Sequence, residues 1–104
     1  KGIKHNNIIL DPGIGFGKTI DQNYILINML PKICQIQQPV LMGTSRKSFI
    51  YNTLKTTPKN ALTGTIVTNT ICLMNGAKII RVHDVKEAKE TVKIINLIKQ
   101  NHLD

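Results

Sequence analysis

The sequence predicts an α/β fold in which three short parallel strands alternate with helices. Three apolar runs, residues 8–10, 39–43 and 79–83, each lead into glycine or polar turn residues. Short uninterrupted runs of this kind are typical of strands that are buried on both faces of a sheet. Segments with helical spacing separate the runs and the connections are short, which favours a parallel sheet with right-handed crossovers.

The first strand leads through a glycine-rich loop into a helix that is predicted over residues 22–35. Asp21 is placed to cap the N-terminus of this helix. Apolar residues recur on one helical face at Leu26, Leu30 and Ile33. Pro31 has no backbone N–H, so we expect it to bend or end the helix near Leu30.

The second strand, residues 39–43, is followed by a polar cluster and then by a short helix over residues 49–54. Thr57 as N-cap and Pro58 at the first helical position open a longer helix. This helix runs up to Gly76, which supplies a left-handed stop. Gly64 inside the helix costs stability unless another backbone segment approaches closely there.

The last helix follows the third strand, residues 79–83. Asp84 and Glu87 have the spacing of a capping box at its start. Apolar residues recur at steps of three and four, at Val85, Ala88, Val92, Ile95 and Ile98. This spacing predicts a helix with one buried face.

Three strands do not complete a parallel sheet, because such a sheet needs both faces covered and both edges paired. The chain also begins with Lys1 rather than Met, and a strand is predicted within its first ten residues. We therefore expect the chain to be cut from a longer one. The additional strands would come from an N-terminal portion, a second copy or a separately encoded partner.

The formal charge of +8 would attract nucleic acid, an anionic membrane or a phosphorylated small molecule equally well. The lysines are dispersed, and two tyrosines and two phenylalanines are the whole aromatic content. Platforms for stacking bases are therefore nearly absent, and a basic nucleic-acid-binding module is the least favoured function.

The two cysteines, Cys34 and Cys72, do not have the spacing of a metal or redox motif. We expect both cysteines to be reduced thiols in the core. The sequence shows neither a signal segment nor an apolar run of about 18 residues that could cross a bilayer. We expect a cytoplasmic protein that does not bind membranes.

Polar residues of chemical interest fall where the predicted strands end. Asp11 follows the first strand, the cluster from Thr44 to Ser48 follows the second, and Arg81 and His83 lie at the third. The carboxyl ends of parallel strands form the functional face of α/β proteins. Asp11 could accept two hydrogen bonds from an amino-pyrimidine edge, or it could cap a turn.

The loop after the first strand, residues 12–19, has two features of phosphate-binding loops: it contains three glycines and ends in Gly17-Lys18-Thr19. The P-loop pattern fails, because Pro12 stands where a glycine is required and has no N–H for a phosphate. The dinucleotide pattern fails because Lys18 stands at its third glycine. Phe16 is either an exposed apolar wall or a core residue.

The basic residues after the second and third strands have two interpretations each. Lys47, beside Arg46 and three hydroxyls, could donate to a ring carbonyl or to an oxyanion, or the two could be a solvated surface pair. Arg81 and His83 share one face of the third strand. An unpaired buried arginine is costly, so either an anionic ligand or an ion pair with Asp84 or Asp11 is expected.

Three motifs together resemble dihydropteroate synthases. They are DPGIGFGK at residues 11–18, GTSRKS at residues 43–48 and RVHDV at residues 81–85. The likeness covers nearly all 104 residues, including Leu62-Thr63-Gly64, but only about the final two fifths of a family member. It implies that residues 1–104 are the last three strand–helix units of a (β/α)8 barrel, the C-terminal part of a pterin-binding domain without its N-terminal strands.

The resemblance implies a transferase of folate biosynthesis, which condenses p-aminobenzoate with 7,8-dihydropterin-6-ylmethyl diphosphate to give dihydropteroate and pyrophosphate. It implies no covalent nucleophile in this chain. It assigns three overlapping sets of contacts: the pterin to Asp11, Phe16, Lys47 and Arg81; p-aminobenzoate to Phe16, Lys47 and Ser48; and the diphosphate to Arg81 and His83.

The resemblance also implies Mg²⁺, whose asparagine ligand in the family lies on the first barrel strand, outside this chain, so no metal ligand is assigned here. A full-length protein would be a homodimer, or a separate N-terminal half would complete the barrel. Because a positioned set of groups is needed for catalysis, we expect the 104-residue chain to be inactive alone. The alternative is a non-catalytic remnant or a complementing subunit of a split barrel.

Overall fold

The structure is a computed structural model that describes residues 8–101 and residue 103. Its regular elements, in chain order, are α1 (Ile20–Ile33), β1 (Leu41–Met42), α2 (Ser48–Thr53), a 3-10 helix (Pro58–Asn60), α3 (Leu62–Met74), β2 (Ile79–Ile80) and α4 (Val85–Gln100). β1 and β2 are parallel neighbours, with Leu41 opposite Ile79 and Met42 opposite Ile80. Helices and parallel strands alternate as the sequence predicts.

The predicted first strand is reduced to a single parallel bridge between Leu10 and Val40. The Leu10 N–H donates to the Pro39 carbonyl at 2.9 Å, and the Leu41 N–H donates to the Leu10 carbonyl at 2.7 Å. Within residues 8–101 no strand lies on the other side of Leu10, so the segment is paired along one edge only. Ile9 is accordingly 54% exposed, where burial on both faces was expected.

Helix α1 starts at a cap that the sequence analysis assigned wrongly. The Thr19 hydroxyl accepts from the Gln22 N–H, and the Gln22 side chain accepts from the Thr19 N–H, which forms a reciprocal capping box. Asp21 therefore lies in the first turn and is not the N-cap. Two satisfied backbone donors at Thr19 outweigh the single bond that a cap at Asp21 would make.

Pro31 does not end α1, which continues to Ile33. A proline at position 31 leaves the Ile27 carbonyl without its helical donor. The Asn75 side chain, 48 positions further along, donates its Nδ2–H to this carbonyl at 3.1 Å. A tertiary hydrogen bond therefore offsets the local defect, and of the two expected outcomes, a bend or an end near Leu30, the end does not occur.

The helix expected to begin at Thr57 is split in two. A 3-10 turn starts at Pro58, and α3 begins only at Leu62. The carbonyls of Pro58 and Lys59 accept hydrogen bonds from Arg46 Nη1 at 2.7 and 2.8 Å. These two carbonyls are thus drawn toward a side chain, which keeps the turn from merging with α3.

The two glycines singled out in α3 behave largely as predicted. Gly76, just after the helix, has a φ of +116°, the conformation expected of a left-handed stop. A Cβ at Gly64 would lie 2.5 Å from Ile50 Cγ2 and 3.0 Å from Leu54 Cδ1. The close approach at Gly64 is therefore confirmed, but side chains around α2 make it, not a backbone.

Helix α4 is confirmed, but its predicted capping box is wrong. Asp84 is the N-cap residue and makes no side-chain cap hydrogen bond, because both of its carboxylate oxygens bind Arg46. Of the predicted apolar face, Ala88 and Ile95 are buried, whereas Val85 and Ile98 are both 55% exposed.

A groove of about 450 Å³ runs between the end of β2 and α4 and explains the exposure of Val85. Its apolar lining is formed by Ile80, Val82, Val85, Ala88 and Val92. Within the described residues β2 pairs only with β1, so its other edge borders the groove.

The core lies where α1, α2 and α3 meet the strands, around Ile14, Leu30, Met42, Phe49 and Cys72. Both cysteines are free thiols, as expected, and burial raises the pKa of Cys72 to about 12. No helix of the described residues is long and apolar enough to cross a membrane.

Candidate functional site at the carboxyl ends of the strands

Three loops follow Leu10, β1 and β2, and we name them by their residues. The glycine loop comprises residues 11–19, the basic loop residues 43–47 and the β2 loop residues 81–84. Because the three chain segments pair in parallel, the three loops open at the same edge of the sheet. Every candidate residue from the sequence analysis lies in one of them, apart from Ser48.

Asp11 and Arg81 face each other across this edge. Asp11 Oδ2 lies 3.7 Å from Arg81 Nη1, and Asp11 Oδ1 accepts from the Gly13 N–H at 2.9 Å. A Cβ at Gly43 would lie 2.7 Å from Arg81 Nη2, so the guanidinium passes directly over that glycine. Of the interpretations left open for Arg81, the structure contains the ion pair with Asp11.

Lys47 reaches from the basic loop to the glycine loop. Its ammonium donates to the Ile14 carbonyl at 2.7 Å and lies 4.9 Å from the centroid of the Phe16 ring. A Cβ at Gly15 would lie 2.9 Å from Lys47 Cδ, so the lysine stem lies against that glycine. Lys47 is therefore held in place along its whole length and is not a freely solvated residue.

The pKa of Lys47 is lowered from its usual value. Burial of the ammonium is the main cause, and the positive charge of Arg81 adds to it. The carboxylate of Asp11 opposes these effects, while Lys18 lowers the pKa further. Asp11, Lys47 and Arg81 thus influence one another electrostatically at the mouth of the sheet.

Phe16 is 68% exposed, so the interpretation that it folds into the core is wrong. It stands in a turn in which Gly13, Gly15 and Gly17 have φ values of +75°, +86° and +62°. These backbone conformations are accessible to glycine at little cost. The alternating glycines thus present the Phe16 ring to solvent beside the Lys47 ammonium.

The lysine and threonine that imitate a P-loop ending have other roles. Lys18 Nζ donates to the Gly13 carbonyl at 2.9 Å and lies 3.4 Å from the Pro12 carbonyl. Thr19 caps α1. Both side chains stabilise the glycine loop itself, in agreement with the rejection of a nucleotide-binding loop.

Asn23 is a site-supporting residue that the sequence analysis missed. It is buried, its Oδ1 accepts from the Gly15 N–H at 2.6 Å, and its Nδ2 donates to the Thr19 carbonyl at 2.9 Å. It therefore ties the glycine loop to the first turn of α1. The sequence signal that could have identified Asn23 is its spacing: it lies four positions before Ile27, so it falls on the apolar side of α1.

The basic loop is fixed to α3 by buried hydroxyls. Thr44 is fully buried, and its Oγ1 lies 2.8 Å from Thr68 Oγ1 and 3.0 Å from Asn69 Oδ1. The Arg46 N–H donates to Thr65 Oγ1 at 2.9 Å. These bonds fix the backbone on which Lys47 is carried.

Arg46 is the second residue that the sequence analysis left without a role. Its Nε and Nη2 each donate to one oxygen of Asp84 at 2.9 Å, which makes a bidentate ion pair between the basic loop and the β2 loop. The pKa of Asp84 is lowered mainly by this hydrogen bond. The interpretation of Arg46 and Lys47 as a solvated surface pair is therefore wrong for both residues.

His83 and Ser48 are less closely connected. The His83 N–H donates to Ser45 Oγ at 3.1 Å, while its imidazole makes no hydrogen bond or ion pair with the other described residues. Ser48 is the exposed first residue of α2, directly after Lys47. The structure thus pairs Asp11 with Arg81 and Lys47 with Phe16 at the same edge of the sheet, and it leaves His83 and Ser48 at the margin of the cluster.

The residues at this edge do not fit a magnesium site. Magnesium takes several hard oxygen ligands, but Asp11 contributes the one carboxylate of the cluster and is bound to Arg81. The described residues contain no group of three histidine, cysteine, aspartate or glutamate side chains that could hold a metal ion.

A sequence model of the family described as pterin binding enzyme matches residues 1–83. The chain belongs to this family. Among curated pterin binding enzymes, the dihydropteroate synthase of Clostridium beijerinckii is 45% identical over 98 residues, which is 93% of this chain and 36% of that protein. The dihydropteroate synthase of Escherichia coli is 43% identical over 94 residues, or 90% of this chain and 33% of that protein.

Solved structures of pterin binding enzymes agree with this assignment. A Vibrio fischeri dihydropteroate synthase superposes with a TM-score of 0.93 at 42% identity, covering 98% of this chain and 38% of that one. A Yersinia pestis enzyme with a bound pterine-sulfa conjugate superposes with a TM-score of 0.92 at 40% identity, covering 96% and 39%. The fold prediction, part of a (β/α)8 barrel, is confirmed. The chain spans about a third of the length of the curated relatives it matches.

Proposed function

We propose that this chain is part of a dihydropteroate synthase and forms the portion of its active site that holds the pterin ring and the leaving diphosphate. The observation that supports this is the convergence of Asp11, Lys47 and Arg81, from three loops, beside the exposed ring of Phe16. The chain covers about a third of its relatives. The activity is therefore proposed for the complete barrel.

The proposed reaction forms a C–N bond and breaks a C–O bond. The amine of p-aminobenzoate attacks the methylene carbon of the pterin substrate and then loses a proton, while pyrophosphate leaves with the bonding electrons. Negative charge develops on the leaving oxygen, where fixed positive groups lower the barrier. Arg81 and His83 are the groups of this chain to which we assign that role.

For the pterin ring we assign a carboxylate acceptor, an ammonium donor and a flat stacking surface. The acceptor is Asp11, the donor is Lys47, and Arg81 and Phe16 supply the surfaces. Asp11 fits because an aminopyrimidine offers N–H donors. Lys47 fits because its ammonium is held at the mouth by Ile14. We assign p-aminobenzoate to Phe16, Lys47 and Ser48, on the solvent side of the cluster.

Magnesium enters the proposal through the resemblance alone. Because the described residues offer no magnesium site, its ligand would lie in the rest of the barrel. When bound, the ion would stabilise charge on the diphosphate, and this chain would contribute only cationic side chains to that region.

A hybrid protein tests the proposed function. The chain would replace the matching segment of Escherichia coli dihydropteroate synthase, to which it is 43% identical. We expect the purified hybrid to form dihydropteroate from the two substrates. The same experiment with the 104-residue chain alone is expected to give no product, because the positioned set of groups is incomplete. A folded hybrid that binds no pterin and forms no product would rule the proposal out.

A complementing subunit is the second candidate, and the free edge of β2 with its apolar groove favours it. Such an edge can pair with a strand of another chain. Mixing this chain with a separately produced N-terminal portion of the Escherichia coli enzyme would test it. Activity in the mixture, compared with each half alone, would show that the two polypeptides can assemble.

We also propose that the complete protein is a homodimer that pairs through the outer surface of α3 and α4. Six large apolar side chains on these helices are 44–58% exposed: Val67, Ile71, Met74, Ile94, Leu97 and Ile98. Exposed apolar patches of this kind mark association surfaces. Sedimentation equilibrium of the hybrid with Ile71→Glu and Ile94→Glu should show a shift to monomer, and an unchanged dimer would exclude this surface.

A further inference from the structure

The guanidinium of Arg46 joins three segments of the chain. Nε and Nη2 bind the two oxygens of Asp84 in the β2 loop, while Nη1 binds the carbonyls of Pro58 and Lys59 before α3. Four hydrogen bonds of 2.7–2.9 Å therefore originate from one side chain. Planar bidentate pairs of this kind fix relative orientation as well as distance.

The backbone of Arg46 adopts a conformation that is unfavourable for an arginine. Its φ is +53°, in the left-handed region that few residues other than glycine occupy. The Arg46 N–H donates to Thr65 Oγ1 and the Lys47 N–H donates to the Thr44 carbonyl at 3.1 Å, which holds this turn in place. Strained residues of this sort cluster at functional sites, where surrounding contacts stabilise them.

The link through Arg46 connects the two loops that carry the basic residues of the cluster. Arg46 is the neighbour of Lys47, and Asp84 lies three residues after Arg81. A second bond, from the His83 N–H to Ser45 Oγ, joins the same two loops. The distance between Lys47 and Arg81 therefore depends on this connection.

We propose that Arg46, through its bidentate bond to Asp84, is a positioning residue that sets the spacing of Lys47 and Arg81 around the pterin. The inference rests on the proposed function. Arg46 itself does not touch the cluster, since four of its N–H groups point to Asp84 and to the two carbonyls. An isolated surface ion pair would contribute little, but this pair is bidentate, its side chains are each 23% exposed, and the same guanidinium also binds two carbonyls.

Arg46→Gly in the hybrid tests the proposal, because glycine tolerates the backbone conformation and removes only the side chain. The matched control is Lys55→Gly, since Lys55 has a φ of +55°, carries the same charge and is exposed. We expect Arg46→Gly to raise the KM for the pterin diphosphate about 10-fold to 100-fold, in the range that displacement of a catalytic group by about 1 Å produces. Lys55→Gly should leave KM unchanged.

The Michaelis constant separates positioning from stability. A variant that merely unfolds lowers the concentration of active enzyme, and therefore kcat, without changing KM. Asp84→Asn should raise KM in the same direction, and the double variant should be no worse than Arg46→Gly, because both changes break one link. Additive effects of the two substitutions, or a KM equal to that of the Lys55→Gly control, would overturn the proposal.

Amide hydrogen exchange distinguishes failure of this inference from failure of the proposed function. We expect Arg46→Gly, but not Lys55→Gly, to speed exchange of the His83 N–H and its neighbours, whether or not the hybrid turns over substrate. Unchanged exchange in residues 81–84 would show that Arg46 does not hold the β2 loop. An inactive hybrid with faster exchange would refute the proposed function alone.

Discussion

The glycine loop and the basic loop meet at one site but are built in opposite ways. The glycine loop carries the exposed ring of Phe16, turns at three glycines with positive φ and is held by amine and amide side chains that bind its backbone. The basic loop is largely buried, and hydroxyl groups of α3 form hydrogen bonds with it. One loop presents an aromatic ring at the surface, whereas the other fixes a charge.

This difference indicates that the two loops have different roles at the site. Lys47 is supported by a buried backbone and can hold a constant position. Phe16 is supported by glycines whose backbone has many accessible conformations, so its ring can adjust to what lies beside it. Substitution of the buried Thr44 in the basic loop should therefore lower stability, while substitution of the exposed Phe16 in the glycine loop should affect binding alone.

The largest expected effect is at the contact between the two loops. Lys47→Ala in the hybrid removes the ammonium beside Phe16, and we expect pterin affinity to fall about 10-fold to 100-fold, since a hydrogen bond from a charged group contributes about 1.5–3 kcal/mol. The fold should persist, because the ammonium is at the mouth of the sheet. Calorimetric titration with a pterin would measure this loss, with Lys55→Ala as control. Normal turnover by Lys47→Ala would contradict the site assignment.

A buried hydroxyl beneath the basic loop gives the next largest effect. Thr44→Val keeps the shape of the side chain but leaves Asn69 Oδ1 without the donor at 3.0 Å. An unsatisfied buried acceptor costs about 1–3 kcal/mol, so the free energy of unfolding should fall by that amount. Urea denaturation of the hybrid would measure it. Equal stability of Thr44→Val and the unsubstituted protein would show that hydrogen bonds to α3 do not stabilise the basic loop.

The glycine loop should respond differently. Phe16→Ala removes an exposed ring, so the free energy of unfolding should change by no more than about 0.5 kcal/mol. The KM for p-aminobenzoate should nevertheless rise, because the ring borders the assigned site. Steady-state kinetics beside the same urea titration would separate the two effects. A large loss of stability would refute the contrast between the two loops.

The smallest effect is a pH dependence from Asp84. Its pKa is lowered in the folded chain, chiefly by the hydrogen bond from Arg46. The carboxylate therefore stabilises the fold above its unfolded pKa of about 4, and this contribution is lost as the pH falls through the folded pKa. Asp84→Asn should flatten the acid limb of stability against pH, measured by denaturation between about pH 2 and 5. An unchanged acid limb would mean that the ion pair adds nothing.

Much of the fold could be predicted from local sequence patterns. The spacing of apolar residues identified α4, Gly76 marked the end of α3, and the alternation of elements gave a parallel sheet. The errors arose where a distant side chain altered a local rule. Asn75 donates to the carbonyl that Pro31 leaves free, and Arg46 binds the aspartate that would otherwise cap α4.

The candidate site was predictable to the same extent and for the same reason. Strand ends identified Asp11, Lys47 and Arg81, because parallel strands bring their carboxyl ends together. Asn23 and Arg46 were missed as supporting residues, since their partners lie 8 and 38 positions away and become neighbours only after folding. The sequence pattern thus predicts which side chains lie at the carboxyl ends of the strands, but not which residues hold them in position.

The second edge of β2, which pairs with no other strand among residues 8–101, has a consequence for handling the chain in solution. A strand edge beside an apolar groove of about 450 Å³ is a template for addition of a further strand. Produced by itself, the chain should associate increasingly as its concentration rises, through edge-to-edge strand pairing. Dilute storage, or expression together with a polypeptide that covers this edge, should keep it dispersed.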